Sequence, residues 1–408
     1  MKDRPSDHTS RIDDIEALRA IAVLMTMLGH IRFMLKWDNA NLIALDTYVS
    51  LWSGVDLFFA ISGFVIARDL IQRYDRCSTN EAFWRETLAF WLRRVYRIWP
   101  TAWLWAALLV VCGLAFQSHY WPDLRVGLID LAAVMTHVVN VHEWMCANRM
   151  PGAMCGSTVV WWSLSLEEQF YIALPLIFLS IPRRALPIAL GVLIVVQFFI
   201  PRPVWSLFWV LRTDALMLGV LIALLERTKI YPILKPTFMM RRRASIPVMI
   251  VLLFLLVEIP SNLAGKIEIV PFSTGVVAFI AAVIVLIASY NQNVIARQGF
   301  FKPVLMWVGS RSYGIYLIHA FCIGLTAQVW TWLSPTGTVF GPNFTVRFLG
   351  MFLLLTFSLA EINYRFIEKP LRKRGRRVAA RFTTTDDLSI PDTSSSIEKQ
   401  RQALQTSR

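Results

Sequence analysis

Ten residues lie between Arg19 and His30 in the first strongly apolar stretch of the chain. On a helix this spacing sets a fixed positive charge roughly 16 Å from an imidazole. That separation suits an elongated anionic acyl donor such as a coenzyme A thioester, with the arginine on the phosphates and the histidine near the acyl end. The plainer readings are a topology anchor for Arg19 and a helix-to-helix hydrogen bond for His30. A second dense polar signal is Trp161-Trp162-Ser163-Leu164-Ser165-Leu166-Glu167-Glu168-Gln169-Phe170-Tyr171. Carboxylates at membrane depth cost roughly 2.5–3.5 kcal/mol each, so such a pair must line an aqueous cavity, find a cation or carry a proton. Neighbouring helical residues point about 100° apart, so only one of the two faces a given site.

Glu167 lies about 12 Å inside the outer end of its run and His30, counted from the opposite face, reaches a similar depth. The two are expected to share one wet chamber. There a neutral histidine takes the proton of a sugar hydroxyl, while a carboxylate orients the ring and stabilises the imidazolium. A covalent acyl-histidine is a second route, and an ion pair with Arg212 is the structural alternative for Glu167. Arg93, Arg94 and Arg97 open the third run with guanidinium groups suited to phosphate, although basic clusters there also serve topology or lipid headgroups. Asp56, Arg212 and His319 are candidates for acceptor binding, His319 being equally readable as a packing hydrogen-bond donor. Ser62 and Gly63 read as close helix packing.

These residues need a membrane scaffold. Of 408 residues, 56% are hydrophobic, which is too apolar for a soluble fold. The net charge of +14 is spread in short clusters between apolar runs, which argues against a nucleic-acid groove and for topology. The fold expected is an all-α, polytopic membrane helix bundle in contact with lipid. Its ten transmembrane helices fall at 15–36, 48–68, 98–117, 159–181, 185–200, 204–225, 246–260, 271–290, 307–333 and 344–367. Positive clusters at 2–11, 68–97, 183–184, 227–243, 297–302 and 369–381 place both termini in the cytoplasm. No small-residue cleavage site follows the first run, so it reads as a retained span. The apolar segment 126–141 carries Asp130, His137 and Asn140. An extra crossing there would invert the charge rule, so it reads as a re-entrant or surface helix over a cavity. The organisation expected is an N-terminal cytoplasmic segment (1–10), a membrane domain (11–371) and a polar, disordered cytoplasmic tail (372–408). The five cysteines show no metal-ligand spacing, and no metal is expected. Cys146 and Cys155 fall in the outer loop, where a disulfide is permitted.

The ordered set of motifs resembles the acyltransferase family 3 membrane proteins. It comprises Asp14-Ile-Glu16-Ala-Leu-Arg19 with His30, then Gly54-Val-Asp56-Leu-Phe-Phe with Ser62-Gly63-Phe64. Next come Arg93-Arg94-x-x-Arg97-Ile-x-Pro100, Trp162-Ser-Leu-Ser-Leu-Glu167-Glu168 and Arg212-x-Asp214, and finally Gly309-x-x-Ser312-Tyr313 through His319 and Glu368-x-Pro370. Glu16-Ala17 stands where the family usually has Asp-Gly. The resemblance implies a ten-span inner-membrane enzyme that moves an acyl group, commonly acetyl from acetyl-CoA, onto a hydroxyl of a cell-surface or exported carbohydrate. It implies His30 as the essential histidine, Arg19, Arg94 and Arg97 for the donor, and Glu167 as the motif carboxylate. The rival reading from the residues is a transporter or flippase for a glycan or acyl lipid, since buried charges and a re-entrant loop also describe a permeation path.

Overall fold

A computed structural model describes residues 11–261 and 272–383, and among them every regular element is helical. The expected segment 1–10, the outer connection beyond 261, the first residue of the 271–290 run and the tail beyond 383 lie outside the described residues. The longer helices are α1 (Asp13–Gly29), α2 (Gly54–Tyr74), α3 (Asn80–Phe116), α4 (Leu124–Met135), α5 (Val139–Ala147), α6 (Trp162–Ser180) and α7 (Leu186–Phe199). They continue with α8 (Asp214–Leu225), α9 (Arg242–Glu258), α10 (Ser273–Ser289), α11 (Phe301–Ser310), α12 (Ser312–Leu333), α13 (Thr345–Asn363) and α14 (Lys369–Thr383).

Each of the ten expected runs contains a helix. Among the described residues, four helical segments are long and apolar enough to cross a membrane: Asn80–Phe116, Leu207–Leu225, Ser312–Leu333 and Pro342–Thr383. Several boundaries differ from the hydropathy reading. The first run is helical only to Gly29, and His30 caps it with its backbone N–H on Met27 and Leu28. The ninth breaks at Arg311, whose guanidinium turns to Glu361 at 2.8 Å. Residues 372–383, expected as disordered tail, are helical. Glu368, Gly375 and Ala379 are buried and Arg372 is half-buried, so one stripe of α14 packs along α3. Small residues let it approach until a Cβ at Gly375 would meet the Tyr96 Cβ at 2.6 Å. Such a stripe carries too little apolar signal to register in a hydropathy window.

The tightest packing joins α2 to α8. A Cβ on Gly63 would meet the Leu216 carbonyl carbon at 2.9 Å, and one on Gly219 the Phe64 backbone nitrogen at 2.6 Å. Reciprocal glycines therefore let the two backbones touch, as small residues do between membrane helices.

The 118–158 connection forms two short helices, α4 and α5. With 12 and 9 residues they fall short of a bilayer crossing. Its polar residues are used internally. Asp130 accepts the Ser157 backbone N–H at 3.0 Å and lies 3.2 Å from His142 Nε2. Asn140 donates to Gln169 on α6, whose own amide donates to the His137 carbonyl. Cys146 and Cys155 are joined by a disulfide.

Candidate active site

Three cavities among the described residues bear on these side chains. The first is a basic cavity of about 410 Å³ where the start of α1, the end of α2, the first half of α3 and α14 converge. Arg19, Arg93, Arg94 and Arg97 all line it. Arg19, Arg94 and Arg97 also bound the second, a narrow inner chamber of about 70 Å³ shared with Ser62, Glu167, Tyr313 and Tyr316. The third, of about 520 Å³, lies beneath the disulfide-bonded loop and is lined by His30, Glu143, Trp52, Trp162, Trp205 and Trp209.

In the inner chamber Glu167 accepts hydrogen bonds from the Ser62 and Tyr171 hydroxyls. Arg94 lies over the rings of Phe90 and Tyr171, 5.4 Å from each centroid. Glu168 turns elsewhere and accepts the Trp99 indole N–H at 3.0 Å, as the angular offset of adjacent helical residues requires. Ser62 and Gly63 divide in the same way, the hydroxyl facing the chamber and the glycine facing α8.

His30 sits beside His319 and not beside Glu167. His30 Nδ1 and His319 Nε2 are 3.1 Å apart, and His319 Nδ1 is 3.2 Å from the Ile315 carbonyl. A carbonyl only accepts, so His319 carries its proton on Nδ1. Its Nε2 is then an acceptor and His30 donates from Nδ1, so Nε2 is the His30 nitrogen not turned to His319.

The expected meeting of His30 and Glu167 is thus not what the fold builds. Depth counted from the ends of apolar runs assumes that both runs begin at the membrane surface. Val160 and Trp161 are already buried beneath the outer loop, so α6 starts deep and Glu167 falls level with the arginines. Tyr316 stands between the two regions. Its hydroxyl lies 2.8 Å from Ser163 and donates to the Val160 carbonyl, and its ring centroid is 6.0 Å from that of His319.

Asp56 and Arg212, expected to bind acceptor, form a closed pair. Arg212 Nε and Nη2 donate to the two Asp56 oxygens at 3.0 and 2.9 Å, and Nη1 donates to the Trp209 carbonyl at 2.9 Å. Both side chains are at most 1% exposed. The guanidinium also lies 4.2 Å from the Trp209 ring centroid and 4.7 Å from that of Trp162. With each of its three nitrogens bonded and its faces covered by aromatic rings, the guanidinium is held with Asp56 behind the tryptophans of the third cavity, and Arg212 is no partner for Glu167. A second buried pair, Arg202 with Asp214 at 2.7 Å, stands at the start of α8. Asp14 likewise serves the fold, accepting the backbone N–H groups of Val294, Ile295 and Ala296 at 3.0, 2.9 and 2.7 Å.

Sequence reasoning assigned no role to Tyr316, Trp205 and Glu143, because single aromatic or acidic residues, on a helix as Tyr316 and Glu143 are or beside one, carry no spacing that marks a cavity lining. Arg372 and Arg376, four apart on one helix, were legible only as part of a topology cluster.

Comparison with known proteins follows this geometry. A family model described as "Acyltransferase domain" matches residues 12–360. The chain is 25% identical over 386 residues to the peptidoglycan O-acetyltransferase OatA of Listeria monocytogenes, covering 89% of this chain and 56% of that protein. It is 27% identical over 389 residues to the O-acetyltransferase OatA of Staphylococcus aureus, covering 90% and 58% respectively. The chain thus spans just over half the length of these relatives. No solved structure matches it. With most of its length, including the arginine-lined chamber and the histidine pair, inside the matched stretch, the chain belongs to the acyltransferase family 3 proteins.

Proposed function

We propose that this protein is a multi-pass bacterial plasma-membrane O-acetyltransferase. It takes acetyl from cytoplasmic acetyl-CoA and transfers it to a hydroxyl of a cell-wall or exported carbohydrate on the outer side. It crosses the membrane ten times with both termini inside. The observation that carries this reading is the histidine pair. His319, fixed by the Ile315 carbonyl, faces Nδ1 of His30 and not Nε2, and the His30 ring lines the aromatic outer cavity.

The division of labour follows the cavities. Arg19, Arg93, Arg94 and Arg97 offer charge-assisted hydrogen bonds to the donor's phosphates. The thioester supplies an activated acyl carbon. His30 Nε2 takes the proton of the acceptor hydroxyl as that oxygen attacks the acyl carbon; the C–S bond then breaks, and the imidazolium, its Nδ1–H still on His319, gives that proton to the departing CoA thiolate. His319 is therefore a positioning residue. Glu167, held by Ser62 and Tyr171, sets the arginine side chains and acts in the donor chamber, away from the proton transfer. Trp52 and Trp205 present ring faces to the acceptor, as a sugar with one apolar face requires.

Purified protein given isotope-labelled acetyl-CoA and a glycan acceptor is expected to release CoA and label the glycan. The His30→Ala protein is expected to do neither. Labelled glycan from His30→Ala at the wild-type rate removes His30 from the mechanism.

A further inference from the structure

The basic cavity holds more cationic groups than its own carboxylates neutralise. Arg68 is paired with Glu226 at 2.9 Å, Arg73 with Asp69 at 3.0 Å, and Arg19 with Glu16 at 3.8 Å. Arg94, Arg97, Arg372 and Arg376 line the same cavity, and none has a carboxylate within 4.0 Å among the described residues. Two of these four come from α14, a helix beyond the stretch that the family model matches.

The backbone places them there. Between α13 and α14 the chain makes one wide π-turn, Tyr364–Glu368, which adds a residue to the turn and re-aims the face that follows; such turns concentrate at functional sites. Arg372 and Arg376, one helical turn apart, then share a face. Gly375 locks the helix against Tyr96. Glu368 faces Asn363, which donates to it at 2.8 Å, and forms no ion pair with Arg372 within 4.0 Å among the described residues. Arg97 and burial together hold Arg372 down at about 10, outweighing the opposite pull of the Glu368 charge. A cluster this costly is stabilised by a polyanion that fills it.

We infer that α14 is part of the donor site, with Arg372 and Arg376 completing with Arg94 and Arg97 a clamp for the phosphate groups of the acyl-nucleotide donor. This rests on the acetyl-CoA reading above and extends it to a helix outside the matched domain. Phosphate oxygens of an anionic lipid headgroup share the same chemistry, so the test has an arm for each source.

The full chain in phosphatidylcholine nanodiscs is titrated with acetyl-CoA by calorimetry, and separately with short-chain phosphatidylglycerol. Arg372→Gln/Arg376→Gln is expected to bind acetyl-CoA about ten- to thirtyfold more weakly than wild type, as loss of charge-assisted hydrogen bonds to phosphate requires. Arg372→Lys/Arg376→Lys is expected to recover part of that loss. Arg374→Gln/Arg377→Gln removes the same charge from exposed positions outside the cavity and is expected to stay within about twofold. Unchanged melting temperature shows that the variants are folded. Wild-type affinity in the Arg372→Gln/Arg376→Gln protein overturns the inference, as does a loss confined to the phosphatidylglycerol arm. Failure of the wild-type chain to bind acetyl-CoA overturns the donor reading itself, and the inference with it.

Discussion

A histidine is a base only through an unprotonated ring nitrogen, and in the proposed mechanism that nitrogen is Nε2 of His30, whose Nδ1 is turned to a neighbour 289 positions away. Removing the base itself, as in His30→Ala, is expected to lower glycan acetylation by about 10²- to 10⁴-fold. His319→Gln retains a carbonyl oxygen able to accept the His30 Nδ1 proton, so it should keep far more activity than His319→Ala. Equal activity of the two, read as turnover in purified protein, would remove the positioning role. At Asp56 and Arg212 the expected outcome concerns stability. Asp56→Ala strands a buried guanidinium and is expected to cost about 3–5 kcal/mol, whereas Asp56→Leu/Arg212→Met restores much of it. Thermal melting in detergent checks this, and a folded, fully stable Asp56→Ala protein with weakened acceptor binding would return the pair to the substrate.

Between elements, contact decides what composition does not. The α2–α8 backbones touch through Gly63 and Gly219, so Gly219→Val is expected to cost about 1–3 kcal/mol or more by overpacking, measurable as a lowered melting point. The outer loop carries a pH dependence of definite sign. Burial and the nearby Asp130 carboxylate raise Glu143 to about 7, and the hydrogen bond to Asp130 raises His142. Both groups hold protons more tightly folded than unfolded. Their contribution to loop stability is therefore full below their unfolded values and is lost as pH rises through the folded ones. Amide protection factors across 124–161, taken relative to the unfolded-chain rate at each pH, are expected to be higher at about pH 5 than at about pH 8, with Glu143→Gln flattening the difference. Lower protection at the lower pH would reverse the assignment.

For the whole molecule, the proposed arrangement puts the disulfide and Cys77 on opposite sides of the membrane. A membrane-impermeant maleimide is expected to reach Cys146 and Cys155 after reduction in intact spheroplasts, and Cys77 only after lysis. Labelling of Cys77 in intact spheroplasts would invert the topology. In the proposed arrangement Tyr316, which lines the arginine-bearing chamber and packs against His319, separates the donor side from the acceptor side. Tyr316→Ala is expected to raise acetyl-CoA hydrolysis in the absence of acceptor by admitting water to the thioester, seen as CoA release without labelled glycan.

The sequence alone carried the helical class, the family, four arginines of the basic cavity (Arg19, Arg93, Arg94 and Arg97) and the histidine at the end of α1, because charge and apolar periodicity are local properties of a chain. That 126–141 forms no full-length span was also legible from its polar residues, and the helices there are short. What each polar residue faces was not. Depth along an apolar run fixes a coordinate on one axis only, while partnership also needs the rotation of each helix and the point where it truly begins. Those were decided by the buried start of α6, the glycine contact of α2 with α8 and the small-residue stripe of α14. Tertiary packing gave His30 a histidine, gave Asp56 an arginine, and turned Glu167 toward Ser62 and Tyr171 in the arginine-lined chamber.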